Sequence, residues 1–462
     1  MLKLMPKISE HALAELKLQL DSRPTVRGSG DEGNVVTPII EKLLVTLEFG
    51  QLDRVPQFKA NSSPSRKSDI ACRYPDKEGN NFFQQQKDPF LLVELKSTGQ
   101  QLSLNSPHYW KAFAQLKEQL LGNNAMSAHF GLISNGWELQ LFKRFHKVVH
   151  PATSILSLNT QNAQEVSNCL LRILQEDKRG IIIGVYNNKG GIGKTTLTTN
   201  LGIVLAQSQK KVLLVDFDPN QADLTDSLQQ PVVEGKVWNF LKGKVPGKAI
   251  IQHCSFSQGK QQVQFDLIPA DKSFLESHDV KIQQEIRLEF LRNRLKELSK
   301  DYDYILIDMP PNWRWFAQAG VQASDTLLVP ASHIDRASLR NLEALVTNFI
   351  PQVNQRRAAL EEGGPNLLPL VLNQYQHTDA QARNCYRYLA DIVAKNNEWK
   401  DAFNNFFYMP PKRFRRGQHC FELPYKIEIC RAPLEGPKYV PAPLRYRRAK
   451  QVYEHLIREV LL

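Results

Sequence analysis

The sequence predicts an α/β protein in two domains, on three observations. An apolar strand-like stretch at 181–186, interrupted only by Gly184, runs into a glycine-rich loop and then into an apolar helical pattern at 197–205. From there to about residue 372, strand-like and helix-like segments alternate, the pattern of a mainly parallel sheet covered by helices. Ahead of it, residues 8–175 read as helices, two strands, a helix, two more strands and a last helix, and 176–180 (EDKRG) reads as a linker. One domain is therefore placed at 1–178 and another at 179–462.

In the first domain, Leu13, Leu16 and Leu20 fall at helical spacing within 8–22, and Val35, Ile39, Leu43 and Leu47 repeat it within 34–48. A polar stretch, 61–65, reads as a loop. A short strand at 69–74 (DIACRY) is followed by a charged, hairpin-like segment at 75–88 and a second strand at 90–96 (FLLVELK). Helical spacing returns at 109–121. The segments 130–134 and 137–142 flank Asn135-Gly136, a strong hairpin signal. Residues 164–175 form the last helix.

Asp69 lies on the first of these strands and Glu94 and Lys96 on the second. Residues two apart on a strand project to one side, so Glu94 and Lys96 share a face. Two carboxylates held together bind a hard cation such as Mg²⁺, and a lysine beside them can stabilise charge on a phosphate under attack. Those are the components of metal-dependent phosphodiester hydrolysis. Charged strand faces also produce a bare Glu-x-Lys by chance, so its context carries the weight.

In the second domain, 189–196 (KGGIGKTT) supplies the chemistry. Gly190, Gly191 and Gly193, with Ile192 between them, let the backbone turn its N–H groups onto phosphate oxygens. The following helix N-terminus adds positive potential. Lys194 is placed to pair with β- and γ-phosphates, the Thr195 hydroxyl to bind Mg²⁺, and Thr196 to complete the cradle. Downstream, 211–215 and 263–268 read as strands, 282–298 as an amphipathic helix and 304–308 as a strand ending in Asp308, at the edge where open α/β sheets bind ligands. A strand at 326–330, a helix at 337–349 and a strand at 368–372 complete the alternation. Asn373 follows the last of these strands. Residues 408–443, proline-rich and aromatic, are not assigned, and 444–462 reads as a closing helix with Tyr453, Leu456, Ile457 and Val460 on its apolar face.

The extra Lys189 at the head of the loop makes this segment resemble the deviant P-loop of the ParA/MinD class of ATPases. The order of two further segments agrees: 215–220 (VDFDPN) looks like that family's switch I, and 304–311 (YILIDMPP) like its Walker B strand and switch II. The resemblance implies ATP as ligand and Mg²⁺ held by Thr195, Asp216 and Asp308, and it makes Asn373 either an adenine contact or an ordinary loop asparagine. It implies that Lys189 reaches the nucleotide of a second copy in an ATP-dependent homodimer, and that Asp218 orients the attacking water. Asn220 stands where the partition proteins usually carry glutamine.

The first domain resembles the PD-(D/E)xK nuclease fold, above all the N-terminal nuclease domain of type I restriction translocating subunits. Ala114-Gln115-Leu116 and Ser134-Asn135-Gly136-Trp137 match features that follow Glu-x-Lys there, and Glu32 falls where that family often carries another acid. Ser68 replaces the usual proline and Gln119 the usual tyrosine. The resemblance implies a restriction-endonuclease-like α/β domain with Asp69, Glu94 and Lys96 as catalytic set and a metal on the two carboxylates.

The chain of 462 residues carries a net charge of +12, which favours a polyanionic partner. Its last 62 residues hold 12 Lys/Arg against 6 Asp/Glu, half of the excess. The clusters are Lys412, Arg413, Arg415 and Arg416, then Arg445, Arg447 and Arg448. They are either DNA contacts or a solvated basic face. Six scattered cysteines without metal-ligand spacing read as reduced thiols, and no stretch has the length and apolarity of a membrane span. The expectation is a cytoplasmic, nucleoid-associated ATPase switch that binds DNA without sequence preference, answers to a hydrolysis-stimulating partner protein, and carries a nuclease-like domain that cuts or holds DNA. Two alternatives stand beside it: an ATP-licensed restriction or phage-defence nuclease, and a partition or positioning ATPase whose first domain is an inactive adaptor.

Overall fold

The computed structural model describes residues 8–24, 32–61, 67–76, 78–176, 179–275, 279–375, 378–408, 420–432 and 439–462. The chain divides into two compact units, Met1–Asp177 with Asn354–Gly364, and Lys178–Val353 with Pro365–Leu462.

In the first unit, β1 (Arg54–Lys59), β2 (Lys67–Cys72), β3 (Leu91–Leu95), β4 (Phe130–Ser134), β5 (Glu138–Phe145) and β6 (Val148–Pro151) lie side by side in chain order, with β7 (Leu156–Ser157) on β5. All neighbours are antiparallel except β3 and β4, which are parallel and joined by the crossover helix Pro107–Leu120. Every residue of β3 and β4 is buried, because helices cover both faces of the sheet. Ile70, Leu91 and Val93 pack with Leu16, Ile39, Leu43 and Leu170 on one face; Ala71 and Leu92 pack with Phe113 and Leu116 on the other. The β4–β5 turn is the expected Asn-Gly one. Gly136 takes φ +80, and Asn135 Oδ1 accepts from Trp137 N (2.9 Å) and Glu138 N (2.7 Å). The segment 75–88 is not a hairpin: it holds a short helix, Phe82–Gln85, capped by Asn81, whose Oδ1 accepts from Gln84 N at 3.0 Å. Asn354–Gly364, although late in the chain, adds to the β6–β7 connection. Ser154 N donates to Glu361 O (3.1 Å), Gly363 N donates to Ala152 O (3.3 Å), and Thr153 bridges Glu362 in antiparallel sense.

In the second unit the strands are β8 (Ile181–Val185), β9 (Val212–Asp216), β10 (Gln252–Gln258), β11 (Gln261–Ile268), β12 (Tyr304–Asp308), β13 (Thr326–Leu328), β14 (Pro330–Ala331), β15 (Asn366–Leu367), β16 (Val371–Tyr375) and β17 (Phe421–Pro424). The main sheet runs β10-β11-β9-β12-β8-β13-β15 and is parallel except for the edge hairpin β10–β11. β14, β16 and β17 form a small second sheet. The mainly parallel core brings β8, apolar and fully buried, to a central place between β12 and β13. Register sets Asp308 directly beside Asp216 at the ends of neighbouring strands. The helix expected at 282–298 is two, Asp279–Glu285 and Glu289–Leu298. Asn373 lies within β16 rather than after a strand. Among the described residues no helix is long and apolar enough to cross a membrane.

Candidate functional site

The glycine loop of the second unit follows β8 and ends on the helix Lys194–Gln207. Gly191 (φ +75) and Gly193 (φ +80) adopt the left-handed conformation that side chains resist, which turns the chain sharply enough to start the helix at Lys194. The loop is tied at both ends. Asn187 Nδ2 donates to Pro330 O (2.9 Å) and Ser338 O (3.1 Å), and Asn187 Oδ1 accepts from Lys189 N (3.1 Å). Asn373 Nδ2 donates to Ile192 O at 2.8 Å, so this side chain braces the loop.

Lys194 is buried, and its Nζ donates to Lys189 O at 3.0 Å, the ammonium lying back on its own loop. Burial lowers its pKa, while Asp308, Asp218 and Asp223 pull it back up. Lys189 is half-exposed, with Nζ 3.8 Å from Asp335 Oδ2. Thr195 Oγ1 donates to Asp308 Oδ2 at 2.6 Å. Asp308 Oδ1 is buried without a hydrogen-bond partner among the described residues. Burial, and after it the neighbouring Asp216, raises the Asp308 carboxyl well above the usual carboxylate range. An orphaned oxygen on a buried acid, next to a threonine hydroxyl at a helix N-terminus, fits a hard cation such as Mg²⁺.

The two aspartates of 215–220 differ. Asp216 is nearly saturated: Oδ2 accepts from Thr225 N (2.8 Å) and Oγ1 (2.6 Å), and Oδ1 accepts from Asp218 N (3.3 Å). Burial pushes its pKa up to about 6. Asp218 Oδ1 accepts from Asn220 N (3.0 Å), and burial raises this carboxyl too. Thr225, whose hydroxyl also accepts from Ala270 N at 2.9 Å, is a residue that sequence reasoning misses. Nothing in its local sequence marks it; the fold brings it to Asp216.

In the first unit, β2 and β3 carry the acids. The register pairs Ile70 with Val93, and one step further Asp69 faces Glu94. Asp69 Oδ2 accepts from Leu95 N at 2.7 Å, and Ser68, in the place of the expected proline, donates its hydroxyl to Val93 O at 2.9 Å. Glu94 is 1% exposed; its Oε1 accepts from Lys96 Nζ and its Oε2 from Gln119 Nε2 at 2.7 Å. Lys96 Nζ also reaches Gln115 Oε1 at 3.3 Å. Burial pushes the Glu94 carboxyl up to about 7, with Lys96 pulling it down and Asp69 pushing it further up. Burial raises Asp69 as well. The sequence-predicted trio thus converges. Among the described residues no group of three or more His, Cys, Asp or Glu that could hold a metal ion is present, so Glu32 does not join Asp69 and Glu94. Gln119 stands out in the sequence only as a departure from a family pattern. Its position one turn after Gln115 is the one signal that both could face the acids.

Of the basic residues, Arg447 and Arg448 are exposed and Arg445 is half-buried, its guanidinium 5.7 Å from the Tyr446 ring. Lys412, Arg413, Arg415 and Arg416 lie outside the described residues.

A family model described as "AAA domain" matches residues 180–361. The chain is 35% identical over 154 residues to the sporulation initiation inhibitor protein Soj of Bacillus subtilis (strain 168), covering 33% of this chain and 58% of that protein. It is 30% identical over 152 residues to the chromosome partitioning protein ParA of Myxococcus xanthus (strain DK1622), covering 33% of this chain and 52% of that one. The chain therefore spans less than two thirds of the length of these relatives. Among solved structures, an ATP complex of a Cyanothece McdA variant matches with TM-score 0.46 and 19% identity, covering 61% of this chain and 97% of that one.

Proposed function

We propose that the second unit, whose residues 180–361 are a P-loop ATPase domain of the ParA/MinD class, works as an ATP-driven switch of the whole chain that associates with DNA. One observation carries the reading: Thr195 and the half-satisfied Asp308 sit together at the head of the helix that Gly191 and Gly193 start. ATP phosphates lie on the loop amides, and Lys194 leaves the Lys189 carbonyl for them. Thr195 and Asp308 hold Mg²⁺, with Asp216 ordering the segment that follows through Thr225 and Asp218. The cation's contribution is neutralisation of phosphate charge. Asp218 orients the attacking water. Lys189, held near Asp335 by only a long, partly exposed ion pair, is available to the nucleotide of a second copy.

The relatives named for chromosome partitioning and sporulation control support partition or positioning as the class of task. DNA is the polyanion that the +12 charge and the exposed Arg447 and Arg448 favour. Hydrolysis then dissolves the dimer and releases the DNA. ATP binding and steady-state hydrolysis by the full chain, with and without DNA and Mg²⁺, test this. Absence of ATP binding would overturn it.

A second reading concerns the first unit and rests on the convergence of Asp69, Glu94 and Lys96 with Gln115 and Gln119. We read it as a restriction-endonuclease-like domain that takes Mg²⁺ or Mn²⁺ on the two carboxylates and cuts or holds DNA. Lys96 stabilises the attacked phosphate. Cleavage of plasmid DNA with either metal, with and without ATP, tests it; DNA left intact under all four conditions makes the unit a DNA-binding or adaptor module that does not cut.

A further inference from the structure

Gln119 has a bonding pattern that packing does not account for. It is 1% exposed, and its Nε2 donates to Glu94 Oε2 at 2.7 Å and to Lys67 O at 3.0 Å. One amide thus holds both strands that carry the acids, β3 at Glu94 itself and β2 two residues from Asp69. The Oε1 of the same amide is buried and accepts no hydrogen bond among the described residues. Reversing the amide does not relieve this, because Oε1 would then face the Lys67 carbonyl and the Glu94 carboxylate, both acceptors. A buried carbonyl oxygen with no donor is costly to keep, and such orphans call for a missing water or ion.

A hard divalent cation on two carboxylates retains several water ligands, each carrying polarised protons. We infer that Gln119 is the positioning residue for such a cation: Nε2 fixes the direction of the Glu94 carboxylate, and Oε1 accepts a hydrogen bond from a water of the cation's shell. This rests on the metal-dependent reading of the first unit. Gln140, also buried in the first unit with an Oε1 that accepts no hydrogen bond among the described residues, donates its Nε2 to Thr153 O rather than to an acid, so it serves as the matched control.

The test is a titration of the full-length, nucleotide-free protein with Mn²⁺ alone, following free Mn²⁺ by its paramagnetic resonance signal. Wild type should bind Mn²⁺ at a site missing from Glu94→Ala. Gln119→Leu should weaken that site about 10- to 100-fold, the usual cost of losing an outer-shell partner. Gln140→Leu should leave it within a few-fold. Metal-free Gln119→Leu should keep the wild-type circular dichroism, whereas an amide needed only for packing would lose that folded-state signal together with the site. Equal Mn²⁺ binding by wild type and Glu94→Ala would remove the metal reading and this inference with it. A Glu94-dependent site unmoved by Gln119→Leu, or lost only together with the folded-state circular dichroism, would overturn the inference alone.

Discussion

Replacing Glu94 by Gln should stabilise the first unit at pH 8 and do little at pH 5. The side chain is 1% exposed, and burial is the largest cause lifting its carboxyl from 4.5 to about 7. The folded state therefore binds the proton more tightly than the unfolded chain does. Between those two values the native state carries the extra proton, so stability falls as pH rises through the window. Above it the ionised Glu94 costs the fold on the order of 3 kcal/mol, from about 1.4 kcal/mol per unit. Below pH 4.5 it costs nothing. Gln reproduces the neutral acid in shape and escapes that cost. Hydrogen exchange of the β3 amides in full-length protein reads the difference. At pH 8 the variant should be protected about 100-fold more than wild type, and at pH 5 only a few-fold more. Comparing the two proteins at one pH cancels intrinsic exchange rates. Equal protection at pH 8, or the same gain at both values, would show that Glu94 is not a buried acid burdened by its charge.

Lys194→Ala should weaken ATP binding about 10- to 100-fold or more, the worth of a charge-assisted contact to phosphate; equilibrium titration with a fluorescent ATP analogue checks it. Lys189→Ala should bind ATP and stay monomeric, whereas Asp218→Ala should bind ATP and accumulate as a dimer; sedimentation with ATP and Mg²⁺ distinguishes them, and identical states would contradict a lysine acting in trans. Neutralising Arg447 and Arg448 together should lower affinity for every DNA sequence alike and flatten its dependence on salt, because each phosphate contact releases counterions. Gly363→Ala would set a Cβ 2.4 Å from the Pro151 carbonyl oxygen, so it should cost the first unit about 1–3 kcal/mol, read as faster proteolysis of residues near 152–154.

The sequence shows what is local. Strand, glycine loop and helix at 181–205 are contiguous, and the Asn135-Gly136 turn sits between two apolar runs, so periodicity and turn chemistry find both. Asp308 is legible because it ends an apolar run, and its place beside Asp216 follows once β9 and β12 pair in parallel. What stays hidden depends on distant partners. The edge strands β1, β6 and β10 have weak alternation and become strands by pairing. Thr225 and Gln119 gain meaning only when the fold brings an acid to them. Asn373 could serve a base or an ordinary loop on sequence grounds, but its amide braces Ile192, on a segment 181 residues away.

The eleven residues Asn354–Gly364 that complete the first unit give the chain an ancestry problem. Two ancestral genes joined end to end would meet once, near residue 178, and a recombination event there would separate them cleanly. This chain leaves the ATPase part, contributes an edge to the first unit through Ser154, Thr153 and Ala152, and returns. Neither half can be inherited, swapped or expressed as a simple prefix or suffix without stripping that edge. A fragment ending at residue 178 should expose unpaired backbone at 152–154 and self-associate there. Substitutions within 354–364 therefore act on the first unit, although the chain reaches that segment only by way of the second.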